Sequence, residues 1–171
     1  MSAPEILLLW PTLVVQRHVE LPDVGVRAAR SPTLAEVLDD AALEACEAQM
    51  ASALEPLGVG PLAGSVVPGS VVERVGPDDW PAPRYHSGEW HGVLCLVHRS
   101  AEEETSRREG ELMLFDPRPG ALVAEHPGRP FGRSLRLDLG EGSLVLMPGW
   151  LAWSVLPVST GRELIVAHLV S

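Results

Sequence analysis

The sequence contains no lysine and no asparagine. Without lysine there is no side-chain amine to form a Schiff base, so that route to covalent catalysis is closed. A GC-rich coding bias, rather than function, accounts for both absences. All 13 basic residues are arginines, set against 23 acidic residues, and the net charge is −10. Affinity for a phosphate backbone comes from clustered Lys and Arg, so nucleic acid is excluded as the expected partner. Anionic membrane surfaces are excluded on the same ground. There are two cysteines, Cys46 and Cys95, which make neither a disulfide framework nor a zinc pattern. Both lie in apolar surroundings and read as buried thiols. No apolar run approaches the roughly 20 residues that span a bilayer. The opening MSAPEILLLWP has no basic region before its short apolar run, so it reads as a strand rather than a signal peptide. A soluble, cytoplasmic protein is the expectation.

What is there suffices for a core: 171 residues, 46% of them hydrophobic, fit one domain of ordinary size. Residues 5–19 predict a strand, a break at Pro11 and a second strand, followed by a loop over 20–32. A helix is predicted over about 33–55. Thr33 and Glu36 have the spacing of a capping box, and Leu34, Val37, Leu38, Ala41 and Ala45 fall on one helical face. Pro56 and Gly58 end it. From residue 62 onward, short runs of Val, Leu, Trp and Met are cut by Gly/Pro turns about every ten residues, the pattern of an all-β sandwich or barrel. The predicted strands are 63–74, 90–98, 111–115, 121–125, 134–139, 143–147, 151–157 and 162–170. The charged run 101–110 reads as a solvated loop. The segment GPDDWPAPRYHSGEW (76–90) is irregular and rich in Pro and aromatics, a kind of loop that shapes sites on rigid β scaffolds.

Four segments carry a family likeness. They are Trp90-His91-Gly92-Val93, the stretch ELMLFDPR from Glu111 to Arg118, the turn and strand GSLVLMPGWL from Gly142 to Leu151, and Arg162. In this order they resemble a group of bacterial and phage oxygenases within the iron(II)- and 2-oxoglutarate-dependent superfamily. The resemblance implies a mainly β, double-stranded β-helix (jelly roll, cupin-like) with one or two supporting helices. It places the barrel core at about 62–170, within one domain over 1–171. It also implies that Arg162 stands where the family holds the far carboxylate of 2-oxoglutarate. An iron site of this type needs two His and one carboxylate on one face of the metal. The distal His position of the family is occupied by Trp153. His86 matches the first ligand, but Gly88 follows it where Asp or His is expected, so Glu89 or His91 would have to complete the set. Leu164 stands in place of the family's Ser, and His168 in place of its Asn.

Strand alternation puts Arg162, Leu164, Val166 and His168 on one face, and Leu151 with Trp153 on another. A cavity holding an Arg, a Trp, apolar side chains and His suits a small, partly apolar metabolite with one anionic group. The candidate catalytic residues are His86 and His168, because imidazole titrates near neutrality. The candidate ligand-binding residues are Arg162, Trp153, Tyr85, Trp90 and Arg84. Should a metal bind, His86, Glu89 and His91 are its candidate ligands. Structural roles stand beside these: Arg162 in a salt bridge with Asp116 or Glu89, Trp150 in the core, His91 facing opposite to Trp90, and His98 and His126 at the surface. Three functions follow. The first is a metal-independent enzyme of cyclisation, isomerisation or elimination, with no cofactor. The second is an active dioxygenase with a rearranged site, using Fe(II) and 2-oxoglutarate. The third is a non-catalytic binding or accessory protein. A homodimer through a sheet edge or barrel face is compatible with each.

Overall fold

The computed structural model describes residues 5–9, 12–55, 70–79, 82–99, 109–117 and 134–170. The predicted strand 121–125, most of the charged run 101–110, and His126 lie outside them. The chain opens with two strands, β1 (Glu5–Leu9) and β2 (Thr12–His18), paired antiparallel. Three helices follow: α1 (Gly25–Ala28), α2 (Leu34–Val37) and α3 (Asp40–Leu54). The rest is strand: β3 (Val71–Val75), β4 (Trp90–Arg99), β5 (Leu112–Leu114), β6 (Leu135–Leu137), β7 (Ser143–Pro148), β8 (Trp153–Val155) and β9 (Glu163–Val170).

The expected helix over 33–55 is two helices. Leu38 adopts an extended conformation (ψ 150°), which breaks the helical path. The capping box at Thr33 does not form: its side chain makes no capping bond, and Leu34 instead donates its amide to the Ser70 carbonyl. The cap that does form is Asp39, whose carboxylate accepts from the Ala42 amide at 2.9 Å, as Asp at an N-cap favours. The break resets the helical phase. Leu34, Val37 and Leu38 are buried as expected, but Ala41 and Ala45 are exposed, and α3 packs through Cys46, Met50, Ala53 and Leu54.

Two antiparallel sheets form the sandwich, with six strands in the order β1-β2-β7-β4-β9-β3 and three in the order β6-β5-β8. Side-chain alternation divides the core into two layers. One face of the large sheet, with Leu94, Leu96, Leu144, Leu146, Ile165 and Ala167, packs on the helices. The other, with Val93, Cys95, Val145, Met147, Leu164 and Val166, meets Leu112, Leu114, Trp153 and Val155 of the small sheet. β4 and β9 are covered on both faces, so each large apolar side chain there contributes roughly 1.5–3 kcal/mol through burial. Burial pushes the Cys46 thiol up to about 11 and the Cys95 thiol up to about 12, which keeps both protonated and unreactive. This double-stranded β-helix with flanking helices is the architecture the resemblance implied.

Candidate functional site

At one end of the sandwich the two sheets and a loop bring six polar or aromatic side chains together. The large sheet supplies three. In β9 the alternation that sends Leu164 and Val166 inward sends His168 inward as well. Its register partners are Val93 on β4 and Val71 on β3. His91, the second residue of β4, lies on the same face, and Glu73 on β3 pairs in register with Val166, diagonal to His168. The small sheet supplies Trp153 at the start of β8, and the loop before β4 supplies Arg84 and His86.

Backbone bonds fix that loop. Arg84 and Trp153 exchange N–H···O bonds of 2.9 and 3.1 Å, which extends the small sheet by one bridge. The His86 amide donates to the Gly149 carbonyl at 2.8 Å, and the Gly149 amide donates to the Glu89 carbonyl at 3.0 Å. The contact is close enough that a Cβ on Gly149 would strike the Gly88 carbonyl. Glycine is needed here for backbone approach, not for an unusual φ.

The rings form one stack. His91 lies 5.5 Å from His86, 5.5 Å from His168 and 4.7 Å from Trp153, centroid to centroid, and Trp153 lies 5.0 Å from His168. The Arg84 guanidinium sits over the Trp153 ring at 5.6 Å, a cation–π contact. Both Arg84 end nitrogens donate to the Glu73 carboxylate at 2.6 Å, and His168 Nε2 lies 2.6 Å from Glu73 Oε2. The His168 hydrogen bond, reinforced by Arg84, holds the Glu73 carboxyl down at about 2. Burial, with His168 and His86 alongside, pulls His91 down to about 3, so this ring is neutral through the ordinary pH range. His86 accepts the Gly88 amide on Nδ1 at 3.0 Å.

Four buried ring nitrogens in the stack have no hydrogen-bond partner among the described residues: His91 Nδ1 and Nε2, His168 Nδ1 and Trp153 Nε1. Among the described residues no three His, Cys, Asp or Glu side chains are arranged to hold a metal ion.

The other expected residues lie apart from the stack. Arg162 is nearly buried and pairs with Glu109 at 3.0 Å, rather than with Asp116 or Glu89. It stands six residues from His168 along the β9 path, roughly 20 Å of strand. A groove of about 530 Å³ lined by Pro77, Glu109, Pro157, Val158, Ser159 and Thr160 lies at that Glu109 end. Trp90 is buried in the helix-facing layer, while Tyr85 and Glu89 are exposed. Trp150, expected in the core, is 56% exposed because the tight 149–150 turn carries it outside. His98, expected at the surface, is half-buried, with Nδ1 2.6 Å from the Leu139 carbonyl. Glu73 was not singled out by the sequence reading. Its sole signal was its place in the predicted strand 63–74.

No family model matches the sequence, and no curated protein is a significant match. Among solved structures, a Pseudomonas putida prolyl-4-hydroxylase superposes with a TM-score of 0.56 at 17% identity, covering 92% of this chain and 87% of that one. An oxidoreductase of the 2OG-Fe(II) oxygenase family from Burkholderia pseudomallei matches with a TM-score of 0.44 at 11% identity, over 99% of this chain and 73% of that one. An N-substituted L-amino acid dioxygenase from Burkholderia ambifaria matches with a TM-score of 0.43 at 12% identity, over 92% and 82%. The prolyl-4-hydroxylase superposition carries the fold, and the chain is a double-stranded β-helix of the kind that 2-oxoglutarate oxygenases use.

Proposed function

We propose that this chain keeps the oxygenase barrel without the iron chemistry. It binds a small, partly apolar metabolite where His86, His91, His168, Trp153 and Arg84 meet, and it catalyses a metal-independent step of the isomerisation, elimination or cyclisation class. The observation that carries this reading is the set of four buried, unpartnered ring nitrogens on His91, His168 and Trp153. A buried donor or acceptor without a partner costs about 1–3 kcal/mol, so a concentration of them marks a place that a ligand completes. Apolar surface from Trp153 and Val93 supports the apolar part of that ligand. An anionic group is supported by Arg84, whose side chain is 40% exposed and keeps N–H groups beyond those that face Glu73.

Iron(II) and 2-oxoglutarate do not fit these residues. Indole offers no in-plane lone pair to a metal, and Trp153 holds the position of the family's third ligand. Imidazole binds through a lone pair in the ring plane, whereas His86 and His168 stack on His91 with interplanar angles of 21° and 25°. Such rings point their lone pairs past one another. Arg162, the expected carboxylate anchor, is tied to Glu109.

Anaerobic titration with iron(II), with and without 2-oxoglutarate, tests this directly. The expected result is no visible charge-transfer band and no stoichiometric heat. A band at near-stoichiometric iron replaces the proposal with a working oxygenase of unusual ligand set. The ligand site is tested separately with 2-oxobutyrate, a small anionic probe with an apolar end. Binding should raise the melting temperature by mass action and move the Trp153 indole N–H resonance, assigned with Trp153→Phe.

A further inference from the structure

We infer that Glu73 and His168 form a carboxylate–imidazole base, with His168 Nδ1 as the proton-accepting atom and a carbonyl compound bearing an acidic C–H as the substrate class. This inference rests on the ligand site proposed above and names its chemistry.

The tautomer of His168 follows from its partner. An ionised carboxylate can only accept hydrogen bonds, and Glu73 is kept ionised by the groups around it. The 2.6 Å contact therefore places the ring proton on His168 Nε2. In the neutral ring the lone pair is then on Nδ1, the atom that is buried and unpartnered. A base oriented by a carboxylate on its far nitrogen is the general logic of imidazole catalysis. Here Arg84 adds a second level: its two 2.6 Å bonds hold the Glu73 carboxylate that His168 also contacts. Glu73 and Arg84 are positioning residues in this arrangement, and His168 is the catalytic one.

The remaining unpartnered nitrogens suit the other half of such a step. Trp153 Nε1–H can only donate, and neutral His91 retains one N–H. Both rings pack directly against His168. N–H donors beside a base stabilise an oxyanion that forms as a C–H proton leaves. In the proposed step His168 Nδ1 takes a proton from the carbon next to the carbonyl. The C–H electron pair becomes the carbon–carbon π bond of the enolate, and the carbonyl π pair moves onto oxygen. His168 then returns the proton to the same carbon, giving exchange, or the proton is delivered to the enolate oxygen, giving isomerisation. No electrons enter or leave, so no oxidant or reductant is required.

Two measurements on the intact protein test the inference. The ¹⁵N shifts of His168 report its tautomer, on which the base assignment depends, and the exchange rate separates a base from a purely structural pair. The Nε2–H form is expected in the wild type, with a mixture in Glu73→Leu. In D₂O, the wild type should speed the loss of the C3 proton signal of 2-oxobutyrate. A positioned base supplies about 10²–10⁴-fold, and Glu73→Leu should lose at least about 10-fold of the acceleration. Should Glu73→Leu fail to fold, Glu73→Asp takes its place; it keeps the charge but shortens the reach, and an intermediate rate is expected. An Nδ1–H tautomer in the wild type overturns the inference. So does an unchanged tautomer and rate in the Glu73 variants. Movement of the Trp153 resonance by 2-oxobutyrate without exchange overturns the inference and leaves the ligand site standing. Neither movement nor exchange overturns the ligand site and this inference with it.

Discussion

Acidification should destabilise this protein well before its carboxylates titrate, and His91 is the reason. The ring is fully buried, and burial pulls it down to about 3 from an ordinary 6.5. Between those values the unfolded chain binds a proton that the folded chain refuses, so stability rises with pH across the window and falls as pH is lowered. Going from about pH 7.5 to about pH 4.5 spans roughly two pH units below the unfolded value, at 1.36 kcal/mol per unit. The expected loss is about 2–3 kcal/mol. His91 is fully buried, so solvent screening removes little of it. His86 and His168 face the ring and oppose its charging further. The assay is urea unfolding at a series of pH values, for the wild type and for His91→Phe, which keeps the stack but cannot titrate. The variant should show a flatter profile between about pH 6.5 and 4.5, by about 2 kcal/mol or more. Parallel profiles would refute the reasoning, because His91 would then be hydrated or paired in the folded state.

Glu73 acts in a lower window: its folded value is about 2 against an ordinary 4.5, so its contribution is complete above about pH 4.5 and disappears as pH falls toward 2. With its partner Arg84 40% exposed, screening reduces this to about 2 kcal/mol, and Glu73→Leu should lose the acid dependence there. Gly149→Ala forces the Gly88 carbonyl away. It should cost about 1–3 kcal/mol and shift the His86 and Trp153 resonances, and an unchanged melting temperature would show that the loop yields freely. Asp39→Ala removes the cap of α3 and should cost about 1 kcal/mol by thermal melting, with Asp39→Asn close to wild type.

The strands were legible because two-sided burial writes itself as continuous apolar sequence. The run from Trp90 to Val97 is buried throughout, and no helical period competes with it. The helix was misread in phase, because the extended Leu38 separates α2 from α3 and Asp39 starts a second helix, a break that the apolar spacing does not mark. In the site, alternation along β9 put His168 on the inward face with Leu164 and Val166. Its partner Glu73 lies 95 residues away, and no local pattern links the two. Arg162 was assigned partners from the wrong loops, because Glu109 belongs to a charged run that composition alone marks as solvated. Trp150 shows the limit of hydrophobicity as a guide: a tight turn can hold an indole in water whatever its transfer free energy favours.

The stack of rings is a seam. Glu73, His91 and His168 ride on the large sheet, while Trp153 and Arg84 ride on the small one. The two sides are joined there by the Arg84–Glu73 pair and by ring faces, with Arg84 and Trp153 stitched to each other through backbone bonds. Among the described residues, access to the buried nitrogens therefore means parting two layers. On the proposed function, entry of a ligand is governed by how readily the sandwich breathes at this end, with the guanidinium–carboxylate pair as its latch. On that proposal, a variant that weakens the latch speeds access while loosening the carboxylate that orients His168, so speed of capture and accuracy of chemistry trade against each other through one ion pair.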